Sequence, residues 1–458
     1  MERFFNAKSV AVIGASSKPG KIGYSVLSSI LTSGYKGRIF PINPNEESIL
    51  NTRVYKTIFD VPGNIDLAII VLGSNAVPGI IEDCGKKGIR RVVIISGGFK
   101  EMGGSGVELE RKVVEAARKH DIRIIGPNCI GVFDGSSRLN TFFQPDEYMI
   151  KPNSGNVAFL TQSGTYGASI LEWFAQLNVG VSRFVSYGNK CDVDEIDMLN
   201  YLEKDDSTKV VGLYIEGIKN GREFIETVKR VARKKPVVIL KAGRTGKGAT
   251  AAKSHTGALA GNDAVFSGAM KQCNAIMVDD IDEMVDILNI LSNQPLPKGG
   301  NIAMATNGAG PCVIAIDAIQ NTPLDLAKLG EETLKKLKEK LPQFCIFSNP
   351  VDLTGSADAN FYDASLRALA EDPNVDIVVP VYVIQDSPLA STIEGAHKTL
   401  QELKNCNKTV VCLAGGGPFT ELQAKRMQGY GMPLITTAHR IVTALSKIVI
   451  YAKNRERK

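Results

Sequence analysis

Histidine and tryptophan are scarce in this chain: 458 residues include four histidines and one tryptophan. Eight cysteines are present, but no two are spaced as Cys-x-x-Cys, so the pattern of a zinc site or a disulfide framework is missing. The amino terminus has no signal-peptide core, and no apolar run reaches the ~20 residues that span a bilayer. Single scattered cysteines favour a reducing compartment, so we expect a cytoplasmic protein with no membrane partner.

Strong charge of one sign is also missing. The net charge of +6 is mild for this length, and no concentrated basic tract suggests nucleic-acid binding. A 44% hydrophobic and 22% charged composition is typical of a folded globular chain. A chain this long exceeds one core, so we expect about three domains.

Short apolar runs alternate with amphipathic helical stretches such as 106–118 along the whole chain. This alternation predicts α/β domains with parallel, doubly wound sheets. The predicted strands are 9–14, 38–42, 67–72, 91–96, 122–126, 156–161, 210–215, 236–240, 301–306, 377–382 and 409–413. We predict a first domain over 1–130, a connector over 131–152, a second domain over 153–295 and a third over 299–458, with the Pro/Gly-rich stretch 292–300 as a linker.

The usual nucleotide-binding motifs are absent from the first domain. Gly14, Gly20 and Gly23 do not match Gly-x-Gly-x-x-Gly, and Ile22 stands where a P-loop needs Ser or Thr. The second strand leads into Pro41–Pro44 without the acidic residue that holds the ribose of NAD. These departures argue against a dehydrogenase and favour a phosphate-bearing nucleotide other than NAD.

Three strand–turn–helix junctions are rich in small residues: Gly14–Gly23, Gln162–Gly167 and Asn307–Gly310. Free N–H groups at helix starts bind anions, although glycine at one such junction can serve packing alone. Three junctions in one chain favour phosphate chemistry.

One of the four histidines, His255, lies in the small-residue loop Lys253–Gly261, which follows the Gly/Lys-rich stretch Lys241–Gly248. A nucleophilic imidazole on a cationic, glycine-rich loop suits a carrier of a phosphoryl group. The alternative is a solvated loop histidine with no role.

Several motifs together resemble one superfamily over nearly the whole chain. They are Ile125–Cys129, Gln162–Thr165, Ser186–Glu195, Ile215–Gly217 and Lys253–Gly261. The first two domains resemble the α subunit of succinyl-CoA synthetase and, more closely, the NDP-forming (ADP-forming) acetyl-CoA synthetases. The third resembles the carboxy-terminal domain of the succinyl enzyme's β subunit. This resemblance implies a Rossmann-like CoA-binding domain followed by two flavodoxin-like domains.

The resemblance implies an acid–thiol ligase. Acyl-CoA, ADP and phosphate would interconvert with a carboxylic acid, CoA and ATP through an acyl phosphate and a phosphohistidine at His255. A mobile loop would carry the phosphoryl group to an ATP-grasp domain on a separate β subunit, in an α2β2 heterotetramer. Mg²⁺ would accompany ADP or ATP, mainly on that partner, and no metal site is expected on this chain.

The resemblance also implies roles for individual residues. Glu216 would orient the imidazole of His255. Phosphohistidine carries about two negative charges, whereas one helix terminus contributes only about 0.3–2 kcal/mol against a desolvation cost of several kcal/mol per charge. We therefore expect two converging turns to bind it. The predicted phosphate-binding residues are Ser163, Gly164, Thr165, Asn307, Gly308, Ala309 and Gly310, and the predicted CoA-binding residues are Gly14, Ser16, Ser17, Lys18, Pro19, Ser96, Gly97 and Asn128.

Some assignments remain open at this point. Cys129 is expected to be a packed thiol rather than a nucleophile, and Asp192–Glu195 a loop and cap rather than a metal site. Tyr166–Ala168 departs from the succinyl enzyme and favours acetate or another monocarboxylate over a dicarboxylate. The alternatives are a similar ligase of another acid and a non-catalytic CoA-binding regulator. An acetyltransferase fusion would need an added domain, and all 458 residues are already assigned.

Overall fold

The computed structural model describes residues 1–248, 262–404 and 406–456. These residues form two compact units. The first unit comprises Met1–Ala175 and Val179–Met277, and the second comprises Gln176–Asn178 and Val278–Lys458. The predicted boundary between the second and third domains, in the stretch 292–300, therefore does not coincide with the division between units, and the predicted domain limits stay predictions.

The first unit begins with a five-stranded parallel sheet in the order β2-β1-β5-β6-β7. Its strands are buried along almost their whole length, as expected for a sheet covered by helices on both faces. The strands are β1 Ser9–Ile13, β2 Arg38–Ile42, β5 Leu67–Ile70, β6 Arg91–Ile94 and β7 Arg123–Ile125, with a small hairpin of β3 Ser48–Ile49 and β4 Thr52–Arg53, and the helices are α1 Ile22–Thr32, α2 Val77–Lys87 and α3 Ser105–Lys119.

A second sheet of six strands follows, in the order β13-β12-β11-β9-β10-β8. Strand β8 pairs antiparallel with β10, so the predicted connector over 131–152 supplies an edge strand rather than irregular chain alone. The strands are β8 Val132–Asp134, β9 Ser154–Thr161, β10 Val181–Ser186, β11 Val210–Ile215, β12 Val237–Lys241 and β13 Ile276–Val278, and the helices are α4 Gly164–Gln176, α5 Glu195–Leu202, α6 Gly221–Ala232 and α7 Asp263–Gln272.

The second unit contains an eight-stranded sheet with the main order β16-β17-β14-β18-β20-β21; β15 pairs with β14, and β19 with β18. The predicted strand 409–413 is divided into two short strands. The strands are β14 Asn301–Thr306, β15 Asp325–Leu326, β16 Ile346–Phe347, β17 Val351–Asp352, β18 Ile377–Val381, β19 Thr409–Val410, β20 Cys412–Leu413 and β21 Leu434–Ile435. The helices are α8 Ile281–Asn293, α9 Gly310–Ile319, α10 Glu331–Lys340, α11 Ala359–Glu371, α12 Ser387–Ser391, α13 Ile393–Leu403, α14 Pro418–Gly429 and α15 Ala438–Glu456.

The first two sheets share one apolar core. A single cluster of buried side chains runs from Val12 and Ile95 in the first sheet to Leu160 and Leu213 in the second. Polar contacts reinforce it: Arg123 of β7 binds Asp192 at 2.9 Å and Asp197 at 2.8 Å. This shared core holds the carboxyl ends of the two sheets in a fixed relation within the first unit. Among the described helices, none has the length and apolar character needed to cross a bilayer.

Candidate active site

A cavity of about 480 Å³ lies in the first unit where the carboxyl ends of strands from both sheets meet. Ligands gather at this edge in parallel α/β sheets. Most of the residues lining the cavity follow β6, β7, β9 and β10. None of the lining side chains in the described part of the chain carries a charge. They are Ile22, Ile95, Ser96, Gly97, Asn128, Cys129, Ile130, Phe143, Gln144, Gln162, Ser163, Gly164, Thr165, Gly188 and Asn189.

The cavity brings together two groups of residues that were predicted separately. Ser96, Gly97 and Asn128 come from the first sheet, and the turn Ser163–Thr165 comes from the second. The two groups are distant in the sequence, so only the packing of the sheets makes them neighbours. Their individual roles in binding CoA and phosphate remain predictions.

A polar network fixes Asn128 at the cavity wall. Its amide nitrogen donates to Oδ1 of Asn189 at 3.4 Å, and Asn189 in turn donates to Glu101 at 2.6 Å and to Glu110 at 2.9 Å. Glu101 also accepts from the N–H groups of Gly98 and Phe99. Burial raises the pKa of Glu101, but the bonds from Asn189 and these N–H groups outweigh it and lower the pKa. Sequence reasoning missed Asn189 and Glu101.

Cys129 lines the same cavity but is a packed thiol, which confirms the expectation. Its Sγ lies 3.3 Å from the carbonyl oxygen of Ile94, and burial raises its pKa to about 12. A thiol with this pKa is protonated at neutral pH and is a poor nucleophile.

The predicted phosphate-binding turn after β9 is closed by a threonine. The Thr161 hydroxyl accepts from the N–H of Ser163 at 3.0 Å and donates to its carbonyl at 2.8 Å, and α4 begins at Gly164. In the second unit, Thr306 makes the same two bonds to Gly308, at 3.0 and 2.7 Å. Both junctions thus present a helix start suited to an anion.

The side chain of Asn307 is committed to the fold. Its amide donates to the Val383 carbonyl and to Asp386, both at 3.0 Å, and its oxygen accepts from Val383 N–H and the Tyr362 hydroxyl. The backbone N–H of Asn307 donates to Tyr362 as well. A phosphate contact from this turn would therefore come from Ala309 and Gly310, where α9 begins without a side-chain N-cap.

Glu216 lies directly after β11 and is 7% exposed. Its backbone is held on both sides. The Gln162 side chain accepts from the N–H groups of Glu216 and Gly217, Lys241 donates to the Glu216 carbonyl at 2.9 Å, and Lys190 donates to the Gly217 carbonyl at 2.6 Å. We call Gln162, Lys190 and Lys241 the Glu216 clamp.

Sequence reasoning did not assign the clamp. Gln162 and Lys190 stand inside motifs that marked the resemblance, but neither had a role there. Lys241 ends the otherwise apolar strand β12, and it is 8% exposed. A lysine that closes a buried strand is the one signal that could have pointed to this residue.

The predicted CoA loop lies between residues that line two different cavities. Gly14 lines a second cavity of about 560 Å³ with Asn43 and Lys56, and Ile22 lines the first; Ser16, Ser17, Lys18 and Pro19 lie between them in the chain. Gly14 has φ +93°, and a Cβ on Gly23 would lie 2.0 Å from the Gly14 carbonyl oxygen. The loop is tied back by Asn43, which donates to the Ala15 carbonyl at 2.7 Å, and by Ser17, which donates to Glu46 at 2.5 Å.

The acidic segment Asp192–Glu195 forms a loop and a cap. Asp192 binds Arg123, Asp194 caps α5 by accepting from Ile196 and Asp197 N–H groups, and Glu195 pairs with Lys190 at 2.8 Å. Within residues 1–248, 262–404 and 406–456, no group of three or more metal-ligating side chains is assembled. His255 and the rest of the loop Lys253–Gly261 lie outside the described residues.

Three family models match successive parts of the chain: a CoA binding domain over residues 8–134, a succinyl-CoA ligase like flavodoxin domain over 154–291 and a ligase-CoA domain over 302–449. Together with the fold, they define the class: a CoA ligase of the succinyl-CoA ligase type. Two relatives from Pyrococcus furiosus are alpha subunits of acetate–CoA ligase [ADP-forming]. Isoform II is 39% identical and isoform I 38% identical, each over 99% of this chain and 98% of the relative.

The chain belongs to the family of ADP-forming acetate–CoA ligases, as the resemblance predicted. A longer relative, acetate–CoA ligase [ADP-forming] I of Archaeoglobus fulgidus, is 39% identical over 99% of this chain, which spans 64% of that protein. Among solved structures, the dinucleotide forming acetyl-coenzyme A synthetase 1 of Ca. Korarchaeum cryptofilum, in complex with phosphate and ADP, is 36% identical. It matches with a TM-score of 0.92 over 99% of this chain and 97% of that one.

Proposed function

We propose that this chain is the α subunit of an ADP-forming acyl-CoA synthetase, which converts acyl-CoA, ADP and phosphate into a carboxylic acid, CoA and ATP. The observation that carries the proposal is the cavity of about 480 Å³ that unites Asn128 with the turn Ser163–Thr165. Family membership supplies the reaction class. The eight free cysteines support the cytoplasm as the place of action.

The first proposed step takes place in this cavity. A phosphate oxygen attacks the thioester carbonyl, the carbon–sulfur bond breaks, and CoA leaves as a thiolate that then takes a proton. CoA would follow the loop Gly14–Pro19 from the second cavity to the first, with Ser96, Gly97 and Asn128 around its thioester end. The N–H groups at the start of α4 would bind the phosphate.

The second step transfers the phosphoryl group to His255. A ring nitrogen attacks phosphorus, the bond to the acyl oxygen breaks, and the carboxylate is released. Glu216 would accept a hydrogen bond from the other ring N–H, which leaves the attacking nitrogen free. Because Glu216 follows β11, the strand beside β9, it stands next to the predicted phosphate turn. The start of α9, at Ala309 and Gly310, is proposed as a further phosphate-binding element.

The acid is proposed to be acetate or another monocarboxylate. A second carboxylate would need a cationic partner, and the side chains that line the cavity in the described chain include no Lys, Arg or His. Ile22, Ile95, Ile130 and Phe143 instead offer apolar contacts to an acyl chain. This is consistent with the Tyr166–Ala168 sequence.

The phosphoryl group is proposed to pass to ADP on a β subunit. Two relatives are themselves named alpha subunits, and the relative from Archaeoglobus fulgidus is longer than this chain. We propose that the partner carries an ATP-grasp domain, binds Mg²⁺ with the nucleotide and assembles with this chain as α2β2.

Labelled phosphate and acetyl-CoA, added to the purified chain with and without a β subunit, test the proposal. Acid-labile label is expected on the unaltered chain and lost in His255→Ala. The matched control is His439→Ala, which removes an exposed histidine of the second unit and should keep the label. Equal label in His255→Ala would refute the assignment. Binding of CoA with no label in any variant would indicate a regulatory CoA-binding protein instead.

A further inference from the structure

Two buried ammonium groups point at consecutive carbonyl oxygens beside Glu216. Lys241 Nζ lies 2.9 Å from the Glu216 oxygen, and Lys190 Nζ lies 2.6 Å from the Gly217 oxygen. Gln162 binds the N–H groups of the same two residues from the other side. All polar backbone groups of this short segment are thus held by side chains from three separate elements.

The equivalent junction of the second unit shows that the turn does not need these lysines. There Asn307 takes the place of Gln162 and binds both the N–H and the carbonyl of Val383, which follows β18. In that described junction the Val383 carbonyl accepts from Asn307 and from the Asp386 N–H, not from an ammonium group. In the described second unit, the same turn therefore closes around Asn307 without a lysine.

Buried ammonium groups are costly unless they are compensated. Burial lowers the pKa of Lys190 and of Lys241, and nearby carboxylates oppose this effect: Glu195 for Lys190, Asp263 and Glu216 for Lys241. Among the described residues, no charged side chain lines the cavity. The positive charges of Lys241 and Lys190 lie instead at the end of β11, where Glu216 follows the strand.

We propose that Lys241 and Lys190 are positioning residues for Glu216: both fix the backbone of its segment, and Lys241 also keeps its carboxylate ionised beside the phosphoryl transfer site. The inference rests on the proposed function, since it assigns these lysines to the step at His255. An ionised carboxylate accepts the imidazole N–H more strongly than a protonated one, and an adjacent cation favours the ionised form. The lysines make no covalent bond in this account.

The carboxylate of Glu216 is surrounded by charged and titratable groups from several elements. In the described chain, Lys241 of the neighbouring strand and Tyr214 of the same strand interact electrostatically with Glu216. Around Lys241 stand Asp263 of α7 and Lys190, and Lys190 in turn faces Glu195 at the start of α5. Lys241 is the best one to alter, because Lys190 already has Glu195 as a buried partner that its removal would leave unpaired.

The test measures the single-turnover rate of phosphohistidine formation against pH in Lys241→Met and Lys241→Gln. Methionine removes both charge and donor, whereas glutamine keeps a donor and removes only the charge. Lys235→Met is the matched control. Lys235 lies before the amino end of the same strand, β12, and its ammonium also binds two carbonyls, those of Leu202 and Asp205, at 2.6 Å.

Lys241→Met should lower the rate about 10- to 100-fold with unchanged CoA affinity. In both Lys241 variants the acid limb of the pH profile should move to higher pH, because loss of the cation raises the pKa of Glu216. Lys235→Met should keep the pH profile of the unaltered chain, although it also loses hydrogen bonds from an ammonium group to backbone carbonyls. If Lys241 had a purely structural role, its variants and Lys235→Met would all lower the stability of the chain without moving the acid limb of the pH profile.

Label in the unaltered chain together with an unchanged rate and profile in both Lys241 variants would overturn this inference alone. If Lys241→Met fails to fold, Lys241→Gln still decides, since an unchanged acid limb there also overturns it. Failure of the unaltered chain to take up label with the β subunit present would contradict the proposed function and this inference together.

Discussion

Removal of the Gln162 side chain should release the segment that carries Glu216. In Gln162→Ala the N–H groups of Glu216 and Gly217 lose their acceptor, and the Gly217 carbonyl loses one of its donors, at 3.2 Å. Each buried N–H left without a partner costs about 1–3 kcal/mol. Because Gln162 lines a cavity, water can compensate part of this loss, and we expect a total of about 2–3 kcal/mol.

Hydrogen exchange of the peptide that covers residues 210–217 is the direct assay. A loss of about 2–3 kcal/mol corresponds to roughly 30- to 150-fold faster exchange at these two amides. Gln162→Glu is the matched control, since a carboxylate still accepts from both N–H groups and should keep their protection. It should nevertheless slow phosphohistidine formation, because it places a second negative charge beside Glu216. Unchanged exchange in Gln162→Ala, or equal loss in both variants, would refute the reasoning.

Two further predictions concern the CoA loop and the second unit. Gly23→Ala should destabilise the chain by about 1–3 kcal/mol and weaken CoA binding, because its Cβ would lie 2.0 Å from the Gly14 carbonyl; Gly79→Ala, with open space around its Cβ, should be neutral in the same denaturation and CoA titrations. His397 is 2% exposed, and burial lowers its pKa from 6.5, so its contribution to stability is present above pH 6.5 and is lost as the pH falls through the lower folded-state pKa. Between about pH 5 and 7, the denaturant midpoint should therefore rise with pH less steeply in His397→Leu than in the unaltered chain. An identical slope in both proteins would contradict this role of His397.

Local chemistry along the chain was enough to predict the long buried strands of the three sheets, apart from Val181–Ser186. The run from Ser9 to Ile13 is buried in a parallel sheet, as its continuous apolar character predicts. The junctions at Gly164 and Gly310 start helices, as their small residues indicate. The other strands that were missed have only two or three residues, as in Val132–Asp134, and 409–413 is interrupted; such short or broken strands carry too few residues to show a period.

The tertiary structure alone decided which segments that are distant in the sequence contact one another. Sequence periodicity says which face of an element is apolar, but not which other face covers it, so the core shared by the first two sheets could not be predicted. The Glu216 clamp has the same origin, since its three side chains come from positions 162, 190 and 241 and meet only at the end of β11.

The sequence by itself determined the family, through the motifs around Asn128, Ser163 and His255, because these depend on residues close together in the chain. Only the tertiary structure decided that Asn128 and Ser163 line one cavity and that two lysines hold the Glu216 segment. The meeting of strand ends from two sheets is a property of their packing, and no local pattern along the chain encodes it.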